Sequence, residues 1–460
     1  MGFSNSKILM FIDFLKNDFV SNEDSPAIIW TDKPYSYKWL AERIESFDKE
    51  LSDNNTLSGN VVALTGDFSP NSIALLLALI EKAVIIVPLT RSIEAEDKKF
   101  EIAEVEKIIS LDSDDSYKII DTGAKASHEF YEELRKRNHP GLVLFSSGTS
   151  GEPKGAVHDF TNLLEKFKTK RKAFRTVNFL LFDHWGGLNT MFHTISNSGT
   201  VLALADRSPD AVCEFIQKHK IELLPASPTF LNLLIVSGAY KRYDLSSLKL
   251  ITYGTEPMPE ITLKKIKEIF PGVTLQQTYG LIELGVLRSK SKSDDSLWVK
   301  LGGEGFQTRV VDGILQIKSH STILGYLNAP MPITPDGWFI TGDRVETDGE
   351  YFHILGRKSE IINVGGEKVF PAEVENVIYQ HDNVLEVTVY GEKNFLTGNI
   401  VCTDITPRGE IDEKDFKKSI KDFCRERLQS YKVPVKINIV TDKQYNERFK
   451  KIRYKEKSSN

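Results

Sequence analysis

Cysteine is scarce in this chain. Three are present in 460 residues (Cys213, Cys402 and Cys424), far apart and never as Cys-x-x-Cys. That excludes a disulfide framework and a cysteine-ligated zinc site, and it points to a reducing compartment, so a cytoplasmic protein is expected. An excess of positive charge is also missing: 59 Lys and Arg against 64 Asp and Glu give a net charge of -5. With no basic footprint, nucleic acid is not expected as a partner. No apolar run reaches the roughly 18 residues that a membrane span requires. The run Ile8-Leu9-Met10-Phe11-Ile12 is followed at once by Asp13, Lys16 and Asp18, which reads as an amphipathic first helix and not as a signal peptide. Repeats of 20–50 residues are absent too. What remains, 40% apolar and 27% charged residues, is the composition of a globular protein long enough for a large core and more than one domain.

Up to residue 140 the chain alternates strand and helix patterns. Ala27–Trp30 and Tyr35 flank a turn and suggest a hairpin. Leu40, Ile44, Phe47 and Leu51 recur at helical spacing. Val61–Leu64 and Val84–Leu89 read as strands, Ser69–Lys82 and Glu129–Arg137 as helices. The alternation resumes with helices at Thr161–Lys172, Asp210–Lys220 and Glu260–Ile269. Strands are expected at Val177–Phe182, Val201–Leu204, Ile221–Leu224, Leu248–Tyr253 and Val273–Gln277. This order predicts an α/β fold, a large N-terminal domain of parallel-rich sheets flanked by helices. After Ser289, short strands with glycine turns predict a small β subdomain. From Glu360 the pattern is α+β, with strands at Val387–Tyr390 and Ile400–Thr403 and a helix at Glu413–Leu428.

One stretch stands apart. An apolar strand, Gly141–Leu144, leads into Phe145-Ser146-Ser147-Gly148-Thr149-Ser150-Gly151-Glu152-Pro153-Lys154-Gly155. Glycines allow close backbone approach, successive N–H groups form an anion-binding concavity, and hydroxyls and a lysine add donors. Lys154 precedes Gly155, so this is not a Walker loop. Gln277-Thr278-Tyr279-Gly280-Leu281-Ile282-Glu283 follows another strand; it offers a flat ring for a base and a carboxylate for Mg²⁺. Tyr253-Gly254-Thr255-Glu256-Pro257 ends a strand at what would be the same sheet edge, where parallel sheets bind ligands. Asp343, in Thr341-Gly342-Asp343, can grip ribose hydroxyls or equally cap a turn.

Together these motifs resemble those of the adenylate-forming enzymes: acyl-CoA synthetases, luciferases and peptide-synthetase adenylation domains. The resemblance spans almost the whole chain and implies the following roles. Ser146, Ser147, Gly148, Thr149, Ser150, Gly151 and Lys154 would bind the phosphates of ATP, with Thr149 also catalytic. Gly254, Thr255, Glu256 and Pro257 would line the adenine pocket, with Thr278, Tyr279 stacking on adenine, and Gly280. Glu283 would ligate Mg²⁺, and Asp343 and Arg357 would hold ribose. Two sites depart from the pattern. Ile282 replaces the family's threonine, and the Gly-Lys of the tail is absent from Arg448-Phe449-Lys450-Lys451-Ile452-Arg453. Lys451 aligns best as the catalytic lysine, with Lys450 second. The resemblance also implies two domains, 1–356 and 357–460, the smaller one mobile about a hinge near Ser359. Gly365 and Gly366 would lie along a channel for a thiol.

The implied activity is an acid–thiol ligase. It would join a small carboxylic acid to AMP and then pass the acyl group to a pantetheine thiol, on CoA or on an acyl carrier protein. Phe182-Asp183-His184-Trp185-Gly186-Gly187-Leu188-Asn189 would line the acid pocket, with His184 as gate and His184, Trp185, Gly186, Gly254 and Gly280 touching the acid. In a shifted register, Phe182-Asp183 mimics the amino-acid-activating members. Ile282, Ser359 and the missing Gly-Lys motivate a further alternative, a nucleotide- or acyl-binding homologue with impaired catalysis.

Overall fold

Strands that are apolar at every position need cover on both faces, and this requirement shapes the N-terminal part of the computed structural model, which describes residues 11–91, 96–147, 152–303 and 305–453. Val61–Thr65 and Ile85–Leu89 are buried throughout. They lie at the centre of a seven-stranded sheet ordered Gly325–Tyr326, Pro153–Asp159, Gly141–Ser147, Ile85–Leu89, Val61–Thr65, Lys107–Leu111, Tyr117–Asp121. A second seven-stranded sheet runs Thr274–Gln277, Leu250–Tyr253, Leu223–Ala226, Arg175–Asn178, Thr200–Ala203, Pro26–Trp30, Lys33–Ser36. All its pairings are parallel except the terminal hairpin.

The helix Pro70–Glu81 explains how the sheets join. Ser69 caps it in a reciprocal box with Ser72, and every residue from Ser72 to Ile80 is buried. A helix apolar all round belongs inside a core. It shares one cluster with Ala27, Ile28 and Val201 of one sheet and Val62, Leu64 and Ile86 of the other. A six-stranded antiparallel sheet between Arg288 and Arg357 forms the β subdomain. Beyond it, a smaller sheet carries Pro371–Ile378 and Glu413–Arg427 as helices, with a core of its own.

The expected architecture is therefore present, with local differences. The helix expected over 161–172 is only Phe160–Leu164, continued by a 3-10 turn at Glu165–Lys168. In a continuous α-helix Lys166 would face Lys170, and Lys168 would face Lys172, at the i,i+4 spacing where like charges repel. Lys166 instead turns inward to Asn189 Oδ1 (2.6 Å) and the carbonyl of Val286 (2.7 Å). The strand expected to reach Phe182 ends at Asn178. There Phe179 leaves the ladder to pack against Phe230 and Phe449. The helices Trp185–Ile195 and Pro228–Ser237 are additions to the sequence reading. Among the described residues no helix is long and apolar enough to cross a membrane. All three cysteines are buried and unpaired.

Candidate active site

The parallel strands ending at Ala226, Tyr253 and Gln277 release Ser227, Gly254–Pro257 and Thr278–Gly280 at one sheet edge. The backbone here is tightly constrained. A Cβ on Gly254 would come within 2.6 Å of the Thr278 carbonyl oxygen. Its neighbour Thr255 adopts φ +75, a conformation that disfavours side chains and gathers at functional sites.

Around this edge the site residues form two linked groups. In the first, the buried carboxylate of Asp343 accepts a hydrogen bond from the Tyr279 hydroxyl (2.5 Å) and pairs with Arg357 Nε (3.0 Å). Burial raises the Asp343 pKa, and Arg357 works against that rise. The ring of Tyr279 packs with Leu281, Leu284 and Phe339. In the second group, Tyr326 donates its hydroxyl to Glu283 and lies under the Lys154 ammonium (5.9 Å). Lys154 pairs across the hairpin with Ser146, so Tyr326 ties Glu283 to the strands flanking the glycine loop. Gly148, Thr149, Ser150 and Gly151 lie outside the described residues, as does the side chain of Ser147. Glu283 and Arg357 act electrostatically on Asp343, which links the two groups. Tyr326 was not singled out in the sequence: its contact with Glu283 spans 43 residues.

Ile282 packs its side chain against two apolar clusters, and its carbonyl lies 2.7 Å from His158 Nε2. It brings no polar group to the site. The Thr278 hydroxyl donates to the carbonyl of Tyr253 (3.1 Å). Glu256, in the turn expected to line the adenine pocket with backbone groups, accepts through its side chain from the Thr229 backbone N–H (2.8 Å) at the start of Pro228–Ser237.

The tail separates the two candidate lysines. Asn446 closes a tight turn, its Oδ1 accepting from the backbone N–H groups of Arg448 (3.0 Å) and Lys450 (3.1 Å). Phe449 takes φ +51 and inserts between Phe179 and Phe230, while Ser227 Oγ donates to its carbonyl (2.8 Å). Arg448 anchors the turn to buried Asp183 Oδ2 (2.6 Å). The next two side chains then diverge. Lys451 points away from the cleft, its Nζ on Glu375 Oε2 (2.9 Å) and the Val387 carbonyl (3.0 Å). Lys450 instead lines a small pocket with His184 and Thr255. Its charge interacts with those of Arg448, Glu256, Arg357 and Asp183. The left-handed Phe449 stands where a glycine would be at ease, immediately before Lys450. The geometry thus supplies a glycine-like turn followed by Lys450, while Lys451 is paired with Glu375.

Burial, reinforced by Arg448, lowers the Lys450 pKa to about 8. A lysine that must be charged loses its effect as pH rises through that value. Acid activation is therefore expected to hold steady below pH 8 and to fall about tenfold per unit well above it. A pH–rate profile flat to pH 10 would contradict this.

On the acid side, His184 caps the helix Trp185–Ile195 by accepting from the Gly186 N–H (3.0 Å). Burial, with Lys450 and Arg448 nearby, holds its pKa well below the usual histidine value, so it is neutral. Trp185 is a correction: it is 2% exposed and packs against Phe160 and His158 in the core. Neither Trp185 nor Gly186 lines the adjacent cavity of about 300 Å³. Asn189, Thr190 and His193, further along the same helix, do so. In the shifted register Asp183 would face the substrate; its Oδ2 is engaged by Arg448 and by Thr90 Oγ1 (3.2 Å), while its Oδ1 is buried without a hydrogen-bond partner. Gly365 and Gly366 form the centre of a hairpin between Val364 and Glu367, with φ +60 and +94. That turn alone accounts for both glycines, though a Cβ on either would meet nothing within 4 Å.

Comparison with known proteins bears on this arrangement. A family model described as AMP-binding enzyme matches residues 16–312, and one described as its C-terminal domain matches residues 373–450. Indoleacetate–CoA ligase of Aromatoleum aromaticum is 26% identical over 436 residues, covering 83% of this chain and 85% of the relative. 2-Succinylbenzoate–CoA ligase of Bacillus cytotoxicus is 26% identical over 451 residues, covering 89% and 91%. A crystal structure of an anthranilate–CoA ligase with anthranoyl-AMP superposes with a TM-score of 0.82 at 19% identity, over 96% of this chain and 95% of that one.

Proposed function

The chain belongs to the AMP-binding enzyme family, and from that premise we propose that it activates a carboxylic acid with ATP, as an acyl-AMP, and transfers the acyl group to a pantetheine thiol. The observation that carries this reading is the gathering of Glu283, Asp343, Arg357 and Lys450 at the edge where the parallel strands end. Acid and α-phosphate are both anionic, and a barrier of repulsion separates them. Lys450 offsets that charge at the point of attack. Asp343 accepts from the ribose hydroxyls, and Arg357 keeps that carboxylate charged and oriented. Tyr279 closes the buried side of Asp343 and stacks its ring on the base. Neutral His184, which lines a small pocket with Lys450, gates entry of the acid.

Among the described residues no three of His, Cys, Asp and Glu converge on a metal site. The donor set suits Mg²⁺ held by Glu283 and completed by phosphate oxygens and water, the ion's usual arrangement beside a nucleotide. When bound there it would neutralise phosphate charge.

The acceptor is CoA, with a carrier-protein pantetheine as the variant, reaching the site past Gly365 and Gly366. We place the domain division at 356/357 and the hinge at Ser359, in the 3-10 turn Lys358–Glu360. The buried unpaired cysteines suit the cytoplasm. Ser359→Pro should slow thioester formation on the order of tenfold more than adenylation, an added barrier of about 1.4 kcal/mol, by restricting the swing. Equal loss of both steps would place the hinge elsewhere. The overall reaction is tested by supplying ATP, Mg²⁺, CoA and a panel of acids. Equimolar AMP, pyrophosphate and acyl-CoA are expected; ADP, or AMP without thioester, would refute the ligase reading.

A further inference from the structure

The 300 Å³ cavity has an unusual wall. It carries Lys166, Arg171, Lys172, His193 and Arg288, and no carboxylate among its described residues. Lys172 is answered from outside by Glu222. Lys166 is not so answered: its Nζ has only neutral acceptors, Asn189 Oδ1 and the Val286 carbonyl. Burial, then Arg171 and Arg288, lowers its pKa to about 7. The same surroundings, burial first and then Arg171 and Lys166, bring His193 to about 4. Cations grouped in a partly desolvated space repel one another and cost stability unless a counter-charge joins them. The charges come from three separate segments, so no single surface run explains their meeting.

The position of the cavity says which part of a ligand would enter. Thr252, Gln276 and Thr278 form its wall on the sheet side, and Thr278 immediately precedes Tyr279. Asn189 and His193 extend along the helix that begins after His184. Thr278 also lies against Gly254 at the strand-end edge, so an acid held at that edge has room to extend its far end toward Lys166, Arg171 and Arg288.

We propose that the substrate acid carries a second carboxylate, held in this cavity by Lys166, Arg171 and Arg288. This rests on the reading of the protein as an acid-activating ligase. A lysine and two arginines satisfy a carboxylate through charge-assisted, partly bidentate hydrogen bonds, which a plain aryl or alkyl tail would leave unmade.

The test is calorimetric titration of the full chain with matched acids, isophthalate against benzoate and adipate against hexanoate, at fixed ionic strength. Each dicarboxylate should bind at least about tenfold more tightly than its partner, a difference of about 1.4 kcal/mol. That advantage should vanish in Arg171→Gln, an exposed position safe for folding, and in Lys166→Met; Arg171→Lys should keep part of it. Equal binding of both classes, no binding of either, or an advantage that survives both substitutions would overturn the proposal. Pyrophosphate exchange on the same acids separates this from the ligase reading. Selective dicarboxylate binding without exchange would sustain the cavity assignment and defeat the ligase. Exchange with equal use of both classes would do the reverse.

Discussion

Lys450→Ala should lower acid-dependent adenylation about 100- to 1,000-fold, the usual loss when one group that stabilises developing charge is removed. The same variant should still form thioester from supplied acyl-AMP, because that step has no triphosphate charge to offset. The contrast with Lys451→Ala carries the argument. Lys451 and Arg453 both bind Glu375 Oε2 at 2.9 Å, inside the C-terminal domain. Burial works against the Lys451 ammonium, but Glu375 holds its pKa above the usual lysine value. Breaking a buried pair costs about 3–5 kcal/mol, and the remaining bond from Arg453 should keep the loss near the lower figure. Lys451→Ala is therefore expected to lower the unfolding temperature of the C-terminal domain while leaving a smaller mark on adenylation. Calorimetric melting beside exchange rates distinguishes the two. Loss of adenylation in Lys451→Ala with unchanged melting, and none in Lys450→Ala, would return the role to Lys451.

Asp343→Asn should raise the KM for ATP about 10- to 100-fold, in line with about 1.5–3 kcal/mol for hydrogen bonds to a charged group. The amide keeps the shape of the carboxylate but loses its charge, and Arg357 Nε then faces a weaker acceptor at 3.0 Å. Tyr279 keeps an oxygen to bond, so folding should be little changed. KM for the acid and the rate of thioester formation from acyl-AMP should move much less. Unchanged affinity for ATP and AMP would remove Asp343 from the nucleotide site.

These contrasts also show what a linear reading reaches. The sheets, the β subdomain and the C-terminal α+β unit were legible because periodicity and turn residues act locally. Glu283 and Asp343 stand out in the sequence as motifs, and the structure brings them within electrostatic reach of each other. Lys450 does not stand out, because adjacent side chains diverge according to a turn set by Asn446 and by the left-handed Phe449. No glycine marks that turn in the sequence. Asp183 and Arg448 meet across 265 positions, and no spacing rule reaches that far. The sequence points Trp185 toward the acid because no local signal marks the helix Trp185–Ile195. Once that helix forms, the position after its cap faces Phe160 and the core. The cationic cavity was hidden for the same reason: Lys166, Arg171, His193 and Arg288 are brought together only by the sheet and the helix between them.

Exchange of labelled pyrophosphate into ATP measures the first chemical step without reference to the thiol acceptor. With Mg²⁺ and a panel of mono- and dicarboxylic acids, label should enter ATP only when a suitable acid is present, and Lys450→Ala should abolish most of that signal. Label entering without any acid, or no exchange with any acid of the panel, would contradict the account.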